Sequence, residues 1–266
     1  NGFTMFIFSS VLLSLAIVPM TLSASANPPV PTTSSMPFWE LYRLVPSAVV
    51  GTTFASFVQA AMSSMAMVFA IEAGMSTGKA TVFVGAGLTG AIFLQIPLGR
   101  LSDRFPRRII ILFCIFISAT IAGAQSLLSN SNDLHIFLNF LFGAFVFPLY
   151  GLFAALANDW IPSEKRISAS STLVLASSSG AVVAPIVLGF LLGNFAPSSY
   201  FLANATVLTV IGVYISYRTR VREAVPVEKQ SPFIPLVARS GQIAHSLGRW
   251  IRNPLAVWPK EKSDQE

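Results

Sequence analysis

Gly99-Arg100-Leu101-Ser102-Asp103-Arg104-Phe105-Pro106-Arg107-Arg108 is a short island of charge in a chain that is otherwise apolar over long distances. Four arginines and one aspartate gather here, while the runs on either side, Thr81 to Leu98 and Ile109 to Leu128, contain no Lys, Arg, Asp, Glu or His. Two helices joined by so few polar residues must turn back on each other in a tight hairpin. Gly99 lets helix backbones approach closely, Asp103 can face a helix N-terminus, and Arg104, Arg107 and Arg108 can pair with carboxylates or lipid phosphates. Charge alone would equally describe a basic connection with one incidental aspartate.

Outward from this loop the same alternation repeats. An apolar helix needs roughly 17 to 25 residues to cross the ~30 Å hydrocarbon core. Seven uncharged windows qualify: Phe3 to Leu22, Val45 to Ile71, Thr81 to Leu98, Ile109 to Leu128, Ile136 to Ala157, Ser168 to Leu192 and Ser198 to Tyr217. With 53% hydrophobic and only 11% charged residues, such a chain has to be solvated by lipid. No window alternates with period two, and unpaired backbone groups are costly in lipid, which argues against a β-barrel. The expected fold class is an all-α membrane protein with seven transmembrane helices, the last six forming one bundle.

The basic residues orient these spans. In chain order the connections carry Arg43, then Lys79, then the arginines of the hairpin, then none, then Lys165 and Arg166, then none, and finally the basic residues after Tyr217. Sixteen of the seventeen Lys and Arg therefore fall on one side, which the positive-inside rule makes cytoplasmic. The chain is expected to start outside and end inside. Its net charge of +6 is thus an orientation signal, and no nucleic-acid partner is expected. The lone Cys114 lies inside an apolar run, which excludes an internal disulfide and a cysteine metal cluster. Neither a metal nor a cofactor is expected.

Four segments are expected: residues 1–22, a membrane helix; 23–44, a linker; 45–217, the six-helix bundle; and 218–266, a basic cytoplasmic tail. Ser23-Ala24-Ser25-Ala26 after the first window looks like a signal-peptide cleavage site. However, no basic residue precedes Phe3 and the chain opens on Asn1, so the first window is read as a transmembrane helix of a chain truncated upstream. Pro28, Pro29, Pro31, Pro37 and the Thr and Ser among them read as a stiff, structureless tether. In the tail, Leu236, Ile243, Leu247, Trp250 and Ile251 recur at near-helical spacing beside Arg239, Arg249 and Arg252. That pattern fits either an interfacial helix on anionic lipid or a disordered tail.

The hairpin resembles the G-x-L-[AS]-D-R-x-G-[RK]-[RK] signature of the major facilitator superfamily. Gly99, Asp103, Arg104, Arg107 and Arg108 match it, and Pro106 stands where a glycine is usual. In that family the signature lies between the second and third helices and recurs between the eighth and ninth. The resemblance therefore implies that Phe3 to Leu22 is helix six, that Val45 to Tyr217 holds helices seven to twelve, and that the rest of the N-terminal half is a missing partner. Pro148-Leu149-Tyr150, the second loop motif Asn158-Asp159-Trp160-Ile161-Pro162 with Arg166, and Gly180 to Gly193 around Pro185 extend the likeness. It is most similar to the bacterial YcaD-type branch, where a His is common at the position of Leu156.

The resemblance implies a secondary transporter in the bacterial inner membrane, moving a small-molecule substrate of unknown class by alternating access. The hairpin would be a conformational latch, with Asp103 facing a helix end in the other half and Arg104, Arg107 and Arg108 around it. Thr52, Ser56, Gln59 and Ser63 fall on one helical face, which by family analogy lines the central cavity; Asn139, Gly143 and Tyr150 form a similar stripe. Either stripe could instead serve helix packing. With no acid or base inside a span, any ion coupling would reside in the missing half. Catalysis is not expected, because His135 and His245 lie outside membrane depth and no serine has a base beside it. The competing readings are a seven-helix receptor or sensor and a half-transporter that pairs with itself.

Overall fold

Absence of charge inside each window lets helices run until a proline, a glycine or a charged turn stops them, and this sets the elements seen. The computed structural model describes residues 3–22, 36–128, 132–162, 165–221 and Gln230, and all regular elements among them are helical. The chain divides into two units, Asn1–Thr33 and Ser34–Glu266. The first contains α1 (Phe3–Leu22), the expected helix, with its described side chains exposed. Only its Phe6–Val18 portion counts as an apolar helix, which is shorter than a span, so six helices rather than seven qualify among the described residues.

The second unit begins with a short α2 (Phe38–Leu44), where the sequence reading had a structureless tether. Its Leu41 is fully buried, together with Met36 and Val45, against Ala157, Ile161, Ala169 and Leu173, and this burial is what periodicity in so short a stretch could not reveal. Pro46 disfavours helical backbone at Val45, which sits at φ −138° and ψ 67°, so α2 cannot continue the axis of the next helix. That helix is a 27-residue rod, Pro46–Glu72. It comprises α3 (Pro46–Ala60), a π-helical turn (Ala61–Met65) and α4 (Ala66–Glu72). The remaining spans are α5 (Thr77–Arg104), α6 (Arg107–Leu127), α7 (Asn132–Asn158), α8 (Arg166–Asn194) and α9 (Ser199–Val221).

Each span agrees with its apolar window to within a few residues at either end, and α5, α7 and α8 run past it into the flanking polar sequence. Between α5 and α6 only Phe105 and Pro106 remain outside a helix. Pro106 directs Phe105 into extended backbone (φ −122°, ψ 160°), which ends α5 cleanly without the glycine usual there.

α7 is the most enclosed span, packed by α5, α6 and α3; α8 packs on α3, and α9 on α6. Close crossings need missing side chains. A Cβ at Gly90 would overlap the carbonyl oxygen of Phe140, and one at Gly143 that of Gly87, so α5 and α7 touch through their backbones. Gly180 brings α8 equally close to Thr53. Ile92, Phe93, Phe113, Val182, Ile186, Phe190 and Val213 face outward and exposed, a surface suited to lipid and unfavourable in water. The basic tail beyond 221, with its suspected interfacial helix, lies outside the described residues apart from Gln230.

Candidate functional site

The arginine-rich hairpin closes over a buried ion cluster. Arg107 opens α6 and its side chain is only 1% exposed, which requires a counter-charge. Asp159, one residue past the end of α7, supplies it: Arg107 NH1 lies 2.6 Å from both Oδ1 and Oδ2 of a carboxylate that is itself 1% exposed. The other terminal nitrogen, NH2, donates to Asp103 Oδ1 at 3.2 Å from the last turn of α5. One guanidinium therefore joins the ends of three helices. Asp103 differs from Asp159 in that its side chain remains 34% exposed. The sequence reading placed Asp103 and Arg107 in one motif and Asp159 in another, and the structure merges them. The signal available in sequence was an aspartate two residues past the end of the uncharged window Ile136 to Ala157.

The second loop motif has a structural part of its own. Arg166, the first residue of α8, donates through Nε to the carbonyl of Ile161 (3.3 Å) and through NH2 to that of Asn158 (3.2 Å). It thereby satisfies carbonyls left open where α7 ends. Gly99 and Arg108 are buried, Arg104 is exposed, and Ser102 donates to the Gly99 carbonyl at 2.7 Å. The stretch is thus a packed corner with one partly exposed carboxylate.

The polar stripe of the first bundle span is split by the π-helical turn. Thr52, Ser56 and Gln59 are buried in α3, whereas Ser63, inside the turn, is exposed because the wider turn rotates the face that follows. Thr52 donates to the carbonyls of Ala48 and Val49 in its own helix. Gln59 Nε2 reaches across to α7, donating to the carbonyls of Phe147 (3.0 Å) and Val146 (3.4 Å) beside Pro148. Ser63 donates back to the Gln59 carbonyl at 2.9 Å. Ser56 Oγ is buried with no hydrogen-bond partner among the described residues, as is Asn139 Oδ1, although Asn139 Nδ2 donates to the Phe83 carbonyl at 2.8 Å. Tyr150 is buried with its hydroxyl against Ser177. Gln59, Asn139 and Tyr150 therefore brace α3, α5, α7 and α8 against one another, Thr52 and Ser63 bond within their own helix, and Ser63 is the exposed member.

Comparison with known proteins follows the same lines. A family model for the Major Facilitator Superfamily matches residues 48–258. An uncharacterized transporter of this type named YcaD, from Escherichia coli, is 29% identical over 126 residues, 47% of this chain and 31% of that protein. An uncharacterized relative from Enterobacter sp. (strain 638) is 27% identical over the same length. The chain thus matches about a third of the length of these relatives. Among solved structures, the POT-family transporter PepTSo superposes with a TM-score of 0.59 at 16% identity, covering 84% of this chain and 44% of that one. An auto-inhibited POT-family peptide transporter gives 0.57 at 18% identity, covering 83% and 43%. Both likenesses concern the fold.

Proposed function

Because the chain belongs to the major facilitator superfamily, we propose that it is the C-terminal part of a secondary transporter that moves a small solute across the bacterial inner membrane by alternating access. In this reading α1 is helix six and a seventh span, residues 23–44 link it to the bundle, and 218–266 form a cytoplasmic tail. The missing N-terminal half is its working partner, and the Arg-rich hairpin faces the cytoplasm. The family match weighs against a receptor, and the relatives' greater length weighs against a self-pairing half.

The observation that carries the mechanism is the asymmetry of the two carboxylates on Arg107. The Arg107–Asp159 pair is sealed from solvent and makes the ends of α5, α6 and α7 move as one rigid corner. Asp103 is 34% exposed, which suits it to a transient contact with a helix end of the other half. The fixed pair maintains the bundle while the partly exposed carboxylate acts as the latch. Arg104 and Arg108 flank the latch, and Gly99 lets the corner close. Thr52, Ser56, Gln59, Ser63, Asn139 and Tyr150 are the candidate cavity residues, with Ser63 nearest to open space and Gln59 setting its position.

Cysteine accessibility tests this reading. Cys114 is the single cysteine of this chain and is fully buried, so Ser63→Cys would be its one reactive thiol, in a complete protein whose cysteines outside this chain are replaced by serine. A membrane-impermeant maleimide should label it from each side of the membrane in turn, and Asp103→Asn should shift the proportion. Labelling from one side only, unchanged by Asp103→Asn, would remove both the alternating-access and the latch reading.

A further inference from the structure

The short helix α2 has one face with no role in the bundle. Leu41 is 0% exposed and fastens the inner face, and Thr172 donates at 2.7 Å to the carbonyl of Met36, two residues ahead of the helix, so both the approach and the inner face are held. Lys165 Nζ lies 2.8 Å from Glu40 Oε1, which ties the same helix to the connection between α7 and α8. Opposite Leu41, Trp39 is 67% exposed and Phe38 44%, and these rings with Tyr42 form one aromatic group at centroid distances of 5.7 to 6.2 Å. Arg43, one helical turn from Trp39, is exposed and has no hydrogen-bond or ion-pair partner among the described residues. Pro37, Trp39, Glu40, Arg43 and Leu44 border one shallow, open depression on this face.

Position determines what this face meets. Arg43 lies three residues before Pro46, where the first bundle span starts, and the break at Val45 turns α2 off that span's axis. Two of its buried neighbours, Ala157 and Ile161, flank Asp159, so α2 lies at the end of the bundle that carries the arginine-rich hairpin. An exposed indole and an unpaired guanidinium at the boundary of a membrane span are chemically matched to the headgroup layer: the ring accepts a half-apolar medium and the cation pairs with phosphate. Glu40 does not oppose this, because Lys165 neutralises it. We infer that α2 is an interfacial anchor whose Trp39–Arg43 face binds anionic phospholipid headgroups in the leaflet on the hairpin side. The inference rests on the bundle spanning a membrane and is independent of transport.

The test uses the natural protein carrying Trp160→Phe, Trp250→Phe and Trp258→Phe, with any tryptophan outside this chain also replaced by phenylalanine, which leaves Trp39 as the sole indole. It is reconstituted in phosphatidylcholine vesicles containing phosphatidylglycerol or phosphatidylcholine that is spin-labelled near the glycerol or deep in the chain. Trp39 fluorescence should be quenched by the shallow label, little by the deep one, and more by labelled phosphatidylglycerol than by labelled phosphatidylcholine. Arg43→Gln should lower that lipid preference about fivefold, while Arg43→Lys keeps most of it. Quenching by aqueous iodide alone, or protection from iodide and both labels, would overturn the inference, the latter because protein would then cover the face. A lipid preference unchanged in Arg43→Gln, or abolished by inorganic phosphate in the buffer, would overturn it too. Release of the protein by alkaline carbonate would instead refute the membrane reading itself.

Discussion

Replacing Asp159 by Asn keeps the shape of the buried corner and removes only the charge that faces Arg107. Both side chains are 1% exposed, so no solvent screening reduces the effect. Breaking a buried ion pair from one side costs about 3–5 kcal/mol, because the remaining charge is left without compensation. Asp103 stays 3.2 Å from the other guanidinium nitrogen and offsets part of this, which favours the lower end. For a bundle of this size, about 3 kcal/mol corresponds to a fall in Tm of about 6–12 °C. Asp103→Asn removes a carboxylate that is 34% exposed, and should cost no more than about 1 kcal/mol. Thermal unfolding of the purified protein in a single detergent reads both variants. A third, Arg107→Met with Asp159→Leu, removes the pair together and should recover most of the loss, since a buried pair replaced by apolar side chains is often neutral. The reasoning fails if Asp159→Asn is no worse than Asp103→Asn, or if the double variant is as damaged as Asp159→Asn alone.

Glycine substitutions should divide by location. Gly85→Ala, with open space around its Cβ, should gain about 0.5–1 kcal/mol from helix propensity, whereas Gly90→Ala and Gly180→Ala should lose stability by driving a methyl group into a neighbouring backbone. Equal unfolding temperatures for Gly85→Ala and Gly90→Ala would contradict the backbone contact of α5 with α7. Gln59→Leu removes the bond across to the Phe147 carbonyl and should cost about 1 kcal/mol in the same assay; an unchanged Tm would mean the bond contributes nothing. Orientation is open to direct measurement. Lys79→Cys should react with an impermeant maleimide in whole cells and Arg104→Cys only in inverted vesicles, with both positions exposed and the buried Cys114 silent. The reverse pattern would invert the topology.

Much of the fold was legible because lipid imposes one rule along the chain: a span excludes charge for its whole length. Each bundle window therefore reappears as a helix, with α6 spanning Arg107–Leu127 against an expected Ile109 to Leu128. The ends were less legible, because Arg104 and Arg107 are compatible with helix and with loop alike, and only capping and pairing decide. Helix α2 was missed since seven residues contain too little periodicity, and its evidence is the burial of Leu41 by residues more than a hundred positions away. The π-helical turn was equally hidden, so a stripe that looked continuous from Thr52 to Ser63 is divided between interior and surface.

Composition and charge order by themselves determined an all-helical membrane chain, its sidedness as a prediction, and the hairpin that identifies its family, since each depends on local hydropathy or on a contiguous motif. Only the tertiary structure decided which charges meet. Arg107 and Asp159 are separated by a complete helical hairpin in sequence, yet the packing of α6 against α7 brings them within 2.6 Å and seals them. Pairing across helices is set by crossing geometry, through glycines such as Gly90 and Gly143, and that geometry has no periodic signature along a single strand of sequence.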